Sequence, residues 1–194
     1  MKRAWLLALM IMLIMAGCAG GGSQDGEKVL DIRAKYIGAT VFDATVDMTA
    51  DYGDRVYEYR LSYSGNGEKG ELTVFEPLNI KGLVARIDEG EVVMKYDGAT
   101  LDTGAFSSGG VSPVEAFPLM IEAWQNGFIT GHFSEKLGEN ECIVAEIDLT
   151  SANRPDKILH RVWFDKDTYL PVQGEITVNG YTVIRCKFTK ADLR

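Results

Sequence analysis

Two hydrophobic periods divide this chain. From Lys28 to Ile37, Val29, Ile32 and Tyr36 recur at helical spacing while Lys28, Asp31 and Lys35 fall elsewhere. That spacing predicts a short helix, with Asp25 as a candidate cap. From Thr40 onward the period becomes two. Phe42, Ala44, Val46 and Met48 alternate with Asp43, Thr45, Asp47 and Thr49, and Tyr57, Tyr59, Leu61 and Tyr63 alternate with Glu58, Arg60 and Ser62. Shorter runs follow: Leu72 and Val74, then Leu83, Ala85 and Ile87, then Val92, Met94 and Tyr96. Asp51-Tyr52-Gly53-Asp54, Ser64-Gly65-Asn66-Gly67, Asp88-Glu89-Gly90 and Asp97-Gly98 separate them as turns. One apolar and one polar face per strand indicates an antiparallel sheet with one solvated side.

Ser112-Pro113-Val114-Glu115 breaks the alternation. A Ser cap, Pro at the first helical position and Glu three residues after the Ser make a helix start. Val114, Phe117, Ile121 and Trp124 recur at helical spacing with Met120 beside them, Pro118 falls about one turn in, and Gly127 closes the helix. This helix is expected to lie across the apolar face of the sheet. Four more strands are read over Glu141 to Leu149, Lys157 to Phe164, Leu170 to Val178 and Tyr181 to Phe188, the last two joined by an Asn179-Gly180 hairpin. About nine or ten strands and two helices then give an α+β domain, a curled antiparallel sheet covered by one or two helices.

The first residues carry an address. Lys2 and Arg3 precede an uncharged apolar run, Ala4 to Ala16, of 13 residues. About 20 are needed to span a bilayer, so the run fits a secretory signal. It ends in Met15-Ala16-Gly17-Cys18, which resembles the bacterial lipobox with Met15 where Leu is usual. The resemblance implies that residues 1–17 are a signal peptide. Cys18 would receive a diacylglyceryl thioether and become the membrane-held N-terminus. Residues 18–27 have the composition of a flexible tether, and residues 28–194 form the folded domain. The protein is accordingly expected outside the cytoplasm, anchored to the cell membrane, or to the outer membrane in a two-membrane cell.

Composition changes the choice of partners. The 194 residues hold 20 Lys plus Arg against 28 Asp plus Glu, a formal charge of -8. Losing Lys2 and Arg3 takes it to -10. Nucleic acid, which needs a basic face, is excluded as a partner. Acidic lipid head groups would repel such a domain, which leaves acyl chains to hold it.

Candidate chemistry is sparse. His132, placed in a loop after the helix, and His160, placed in a strand, have no Cys at ligand spacing, so no metal is expected. Ser107 and Ser108 lack the glycine spacing of a hydrolase elbow and belong to a flexible loop over the helix entrance, which would serve as a gate to a cavity. Asp165 and Asp167 read as a solvated hairpin turn without the further ligands of a calcium loop. No cofactor and no catalysis are expected. Cys142 and Cys186 remain after Cys18. Their strands are separated in a simple meander, which favours two separate thiols, whereas closure of the barrel or another strand order would allow a disulfide.

The lipobox, the leading helix, the long meander, the central helix and the segment Trp163-Phe164-Asp165-Lys166-Asp167-Thr168-Tyr169-Leu170-Pro171-Val172 together resemble the LolA/LolB-like superfamily. Phe75-Glu76-Pro77 and Tyr96-Asp97-Gly98 sit where that family tends to have a Pro and an Asp-Gly turn. The resemblance covers roughly Lys28 to Phe188. It implies a half-open β-barrel with a helical lid over an apolar cavity, and binding of lipid or of lipoprotein acyl chains. There is a weaker resemblance to germination lipoproteins of spore-forming bacteria, which bind a partner enzyme. An anchor on Cys18 speaks for a receptor or scaffold rather than a free shuttle. Tyr57, Tyr59 and Tyr63 on a strand face, with Phe117, Met120, Ile121 and Trp124 on the helix, are the candidate lining of an apolar cleft. The same residues would equally fill a core. The expected function is therefore an anchored binder of an apolar ligand, with a non-catalytic scaffold for a partner protein as the alternative.

Overall fold

The computed structural model describes residues 22–105, 111–150 and 155–194. Residues 1–17, expected to be a signal peptide, and Cys18, Ser107 and Ser108 lie outside the described residues. Helix α1 spans Gly22–Gly38. Strands β1 (Phe42–Asp51), β2 (Val56–Gly65), β3 (Lys69–Glu76), β4 (Val84–Asp88), β5 (Glu91–Tyr96) and β6 (Ala99–Ala105) follow, with a 3-10 turn at Leu78–Ile80. Helix α2 (Pro113–Asn126) leads into β7 (Phe128–Leu137), β8 (Asn140–Asp148), β9 (Ile158–Asp165), β10 (Pro171–Val178) and β11 (Tyr181–Leu193).

All eleven strands join one antiparallel sheet, in the order β6-β5-β4-β3-β2-β1-β11-β10-β9-β8-β7. Two meanders, β1 to β6 and β7 to β11, meet where β1 pairs with β11, Phe42 opposite Leu193 and Ala50 opposite Ile184. The sheet is left open, with β6 and β7 as its edges. Register shifts at Thr45/Val46, Arg60/Leu61, Val92/Val93 and Ile129/Gly131 add the local bends that let it curl. The result is the half-open barrel with helices on its apolar face that the resemblance implied.

Most elements follow from local pattern. In β1 the residues Phe42, Ala44, Val46, Met48 and Ala50 are all buried on the concave face, and the alternate positions are half-buried. Asn179 and Gly180 both take positive φ (51° and 87°), the backbone of a two-residue hairpin. The start of α2 is a complete capping box: the Ser112 side chain accepts from the Glu115 N–H, and the Glu115 side chain accepts from the Ser112 N–H. The helix continues through Pro118.

Three elements depart from the sequence pattern. Helix α1 begins at Gly22, inside the stretch with a tether's composition, because Asp25 and Gly26 are held against β7: the Ser134 hydroxyl donates to the Asp25 carboxylate at 2.9 Å. Asp25 therefore lies in the first turn rather than at the cap. The segment around His132 is a strand, β7, and not a loop. It is an edge strand exposed over most of its length, so it carries no alternation to read. Strand β6 at the opposite edge was missed as well, which brings the count to eleven.

The core is built around Trp124. Its ring meets Tyr36 of α1 edge-on at 4.9 Å, Phe42 at 5.2 Å and Phe164 at 5.7 Å between centroids. Its indole N–H donates to His160 Nε2 at 2.8 Å, and the opposite ring nitrogen, Nδ1, lies 2.9 Å from the Glu175 carbonyl. His160 is therefore neutral with its proton on Nδ1, and both nitrogens are satisfied inside the sheet. It has room because residue 174 is glycine; a Cβ there would sit 3.2 Å from His160 Cε1. Burial pushes the imidazole down to about 4 from its ordinary 6.5.

Trp124→Ala should destabilise the fold by about 3–5 kcal/mol, and Trp124→Phe, which keeps a ring but strands His160 Nε2, by about 1–3 kcal/mol, both read from urea unfolding. The unfolded chain takes up the His160 proton near pH 6.5 and the folded chain only near 4. The unfolded state thus holds more protons between those values, and stability falls as pH drops through the window. The His160 share of the loss is about 3 kcal/mol. Comparing wild type with His160→Gln across pH 7 to 4 isolates it, since the variant should show the shallower slope. Equal slopes would remove the assignment.

Candidate functional site

The seven residues expected to line a cleft are divided by the structure. Tyr63, Phe117, Met120, Ile121 and Trp124 are each no more than 2% exposed. They pack on one another and on the sheet. Tyr63 stacks flat on Phe117, with ring centroids 4.6 Å apart and planes within 2°. Its hydroxyl accepts from the Gly67 N–H at 3.1 Å. That hydroxyl fits because residues 65 and 70 are glycines; a Cβ on either would come within 2.6 Å of it.

Tyr57 and Tyr59 share the concave face with Tyr63, opposite Ala50 and Met48 of β1. They sit at the rim instead of in the core, Tyr57 exposed and Tyr59 half-buried. With Tyr52 they form a row of rings, 6.2 Å from Tyr52 to Tyr57 and 6.4 Å from Tyr57 to Tyr59. The Tyr52 hydroxyl donates to the Val111 carbonyl at 3.1 Å, beside the start of α2. Burial, with its tyrosine neighbours and Glu115, pushes the Tyr52 phenol up to about 12. Within Asp51-Tyr52-Gly53-Asp54 this residue reads as part of a turn, and nothing in the sequence marks its contact with the helix start.

Beneath α1 the packing leaves a gap of about 10 Å³ lined by Val29, Ile32, Arg33, Trp124, Ile147 and Phe164 among others. That is at most about the room one water needs, and far too little for an acyl chain. Arg33 closes it. Its Nε donates to the Trp124 carbonyl at 3.2 Å and its Nη2 to the Gly127 carbonyl at 2.5 Å. Carbonyls at a helix C-terminus have no partner within the helix, and a cation there suits the helix dipole. Burial lowers the Arg33 pKa from its ordinary value. Lys35 fastens the same helix elsewhere, donating to the Thr168 carbonyl at 2.7 Å. Gly127 must be glycine, because a Cβ there would meet Ile147 at 2.3 Å.

The surface divides by face. On the convex side, cross-strand ion pairs alternate: Arg60 with Asp47 (2.9 Å) and Glu76 (3.3 Å), Arg86 with Glu71 (2.8 Å), and Arg185 with Glu175 (2.9 Å). Exposed pairs of this kind contribute about 0–1 kcal/mol each and make a solvated face. Apolar side chains reach solvent elsewhere. Leu101 does so on β6 and Phe133 on β7. Leu30 and Ile37 (61% and 59% exposed) share a face of α1 with exposed Ala34, and Phe128 (74%) begins β7. The spacing of Leu30, Ala34 and Ile37 is legible in the sequence as a second apolar stripe, but the stripe of Val29, Ile32 and Tyr36 beside it claims the helix first.

The remaining candidates take structural places. Cys142 on β8 and Cys186 on β11 are separated by β9 and β10, buried and unbridged, and burial raises both thiol pKa values. Asp165 shapes its hairpin, accepting from the Asp167 and Thr168 N–H groups and from the Thr168 hydroxyl. Among the described residues no group of three or more His, Cys, Asp or Glu is arranged to hold a metal, and no helix is long and apolar enough to cross a membrane.

No family model matches the chain, and no curated protein matches its sequence. Solved structures do match. An uncharacterized conserved protein from Thermus thermophilus is similar at a TM-score of 0.50 and 12% identity, over 87% of this chain and 87% of that one. A LolA superfamily protein from Nitrosomonas europaea is similar at 0.46 and 10%, over 87% and 93%. A chain from the complex of the CwlD amidase of Clostridioides difficile with the GerS lipoprotein is similar at 0.40 and 15%, over 87% and 95%. At these identities the likeness is one of fold, and the Thermus protein carries it.

Proposed function

We propose that this is a lipid-anchored extracytoplasmic protein, held at the membrane through Cys18, that acts by binding another protein and has no catalysis of its own. The lipobox-like Met15-Ala16-Gly17-Cys18 supports the anchor. The packing of the described residues on the concave face carries the choice of ligand. The five most buried of the expected cleft residues spend their apolar surface on each other, and the gap beside them is about 10 Å³. The outside of the molecule offers another surface, where two sheet edges end in strands with one side unpaired in the sheet. Such an edge accepts an added strand from a partner.

A second reading keeps the cleft from Tyr57 to Trp124 as a site for a lipid or a lipoprotein acyl chain. The observation in its favour is the row of Tyr52, Tyr57 and Tyr59, which leaves aromatic surface open at the rim of the concave face. Native mass spectrometry separates the two readings. The protein purified with Cys18→Ser, so that no attached lipid enters the mass, should fly as the bare chain. A near-stoichiometric lipid recovered by organic extraction would return the function to the cleft. In cells, photocrosslinkers at Leu101 and Phe133, one on each sheet edge, should trap one defined protein. A blank at both positions would count against partner binding.

A further inference from the structure

We infer that the exposed face of α1 lies on the surface of the bilayer that carries the Cys18 lipid; this rests on the anchoring reading above. Leu30, Ala34 and Ile37 are spaced i, i+4, i+7, so they form one stripe along the helix. Arg33, between them in sequence, reaches the Gly127 carbonyl, and the next residue, Phe128, extends the apolar surface from the helix to the start of β7. The patch is thus built from both elements at the same end of the sheet.

The chain preceding the helix names what covers this face. Four residue steps separate Cys18 from Gly22, at most about 14 Å even when fully extended. A lipid on Cys18 therefore keeps the first turn of α1 close to the head groups, whatever path the tether takes. Leu30 lies eight residues further along, about 12 Å at the helical rise. The whole stripe is within reach of the interface without any other part of the molecule moving.

Charge selects the same face. Helix α1 carries Asp25, Glu27 and Asp31 against Lys28, Arg33 and Lys35, and is neutral. The residues after Gly38 hold the entire -10 of the anchored protein. Acidic head groups repel that remainder, and the ion-paired convex face would lose its hydration on contact. The neutral helix with its apolar stripe is the part of the molecule that approaches lipid without that penalty. Helix α1 packs beside β7 and β8, and β6 is the opposite edge of the sheet.

The test uses the full chain, purified with its lipid and reconstituted into phosphatidylcholine vesicles. Leu30→Cys labelled with an environment-sensitive NBD probe is compared with Leu101→Cys labelled in the same way. Both positions are exposed, so neither change disturbs the core. The probe at position 30 should shift its emission to the blue and be quenched by brominated acyl chains, while the probe at 101 stays water-like and unquenched. Water-like emission at both positions, in protein that floats with the vesicles, overturns the docking and leaves the anchor standing. Protein that does not float overturns the anchor, and the docking with it. Adding Ile37→Ser to the labelled Leu30→Cys chain should return the probe toward the aqueous spectrum while flotation persists. An unchanged blue shift would assign the burial to something other than the stripe.

Discussion

The chain leaves the sheet at β6 and returns at β7, and these strands are its opposite edges. On a flat sheet of eleven strands those edges would stand about 48 Å apart. The connection contains α2, whose 14 residues rise about 21 Å. The sheet curls, and the register shifts distribute the bend along several strand pairs. Once the sheet has curled, the crossing helix lies on the concave side and must be apolar there. The burial of Ala116, Phe117, Met120, Ile121, Ala123 and Trp124 follows from the connectivity.

The same constraint bears on what the concave face can hold. Helix α2 lies in the trough and buries its apolar residues there. Trp124 then meets rings from α1, β1 and β9, and the one polar atom of its indole is satisfied by a histidine on the sheet. Helix α1 closes the remaining flank, with Arg33 meeting the carbonyl ends of α2. Among the described residues, the interior is spent on holding the two helices to the sheet.

How much of this was legible in the sequence depended on burial. Strands β1 to β5 announced themselves by alternation, while β8 to β11, of which β8 and β9 bury side chains on both faces, stood out as runs between turn signals; the Ser112 and Glu115 box and the Asn179-Gly180 turn were marked by local chemistry. The two edge strands did not: Gly131, His132, Phe133, Ser134 and Glu135 have no buried side to impose a period. The start of α1 was hidden for a related reason, since its first turn is held by Ser134, a contact distant in sequence. At the candidate site the choice of residues was readable and their state was not. Tyr63, Phe117 and Trp124 are the same apolar residues whether they face a ligand or each other, and the difference is set by Gly65, Gly70 and Gly174, which let the rings and His160 sink inward.

The junction of the two meanders has a consequence for how an exported chain folds. Strand β1 lies in the middle of the finished sheet, yet one of its neighbours, β11, is the last strand to be made. A chain threaded across a membrane from its N-terminus delivers β1 to β6 first, with the backbone of β1 unpaired on one side. That side stays a bare template until Tyr181–Leu193 emerges, and every strand of the second meander docks through it. Long-range pairing of this kind is slow and exposes a sticky edge while it waits. For a chain delivered in that way, export and folding would be coupled: the sheet would not be completed on the far side until β11 had crossed.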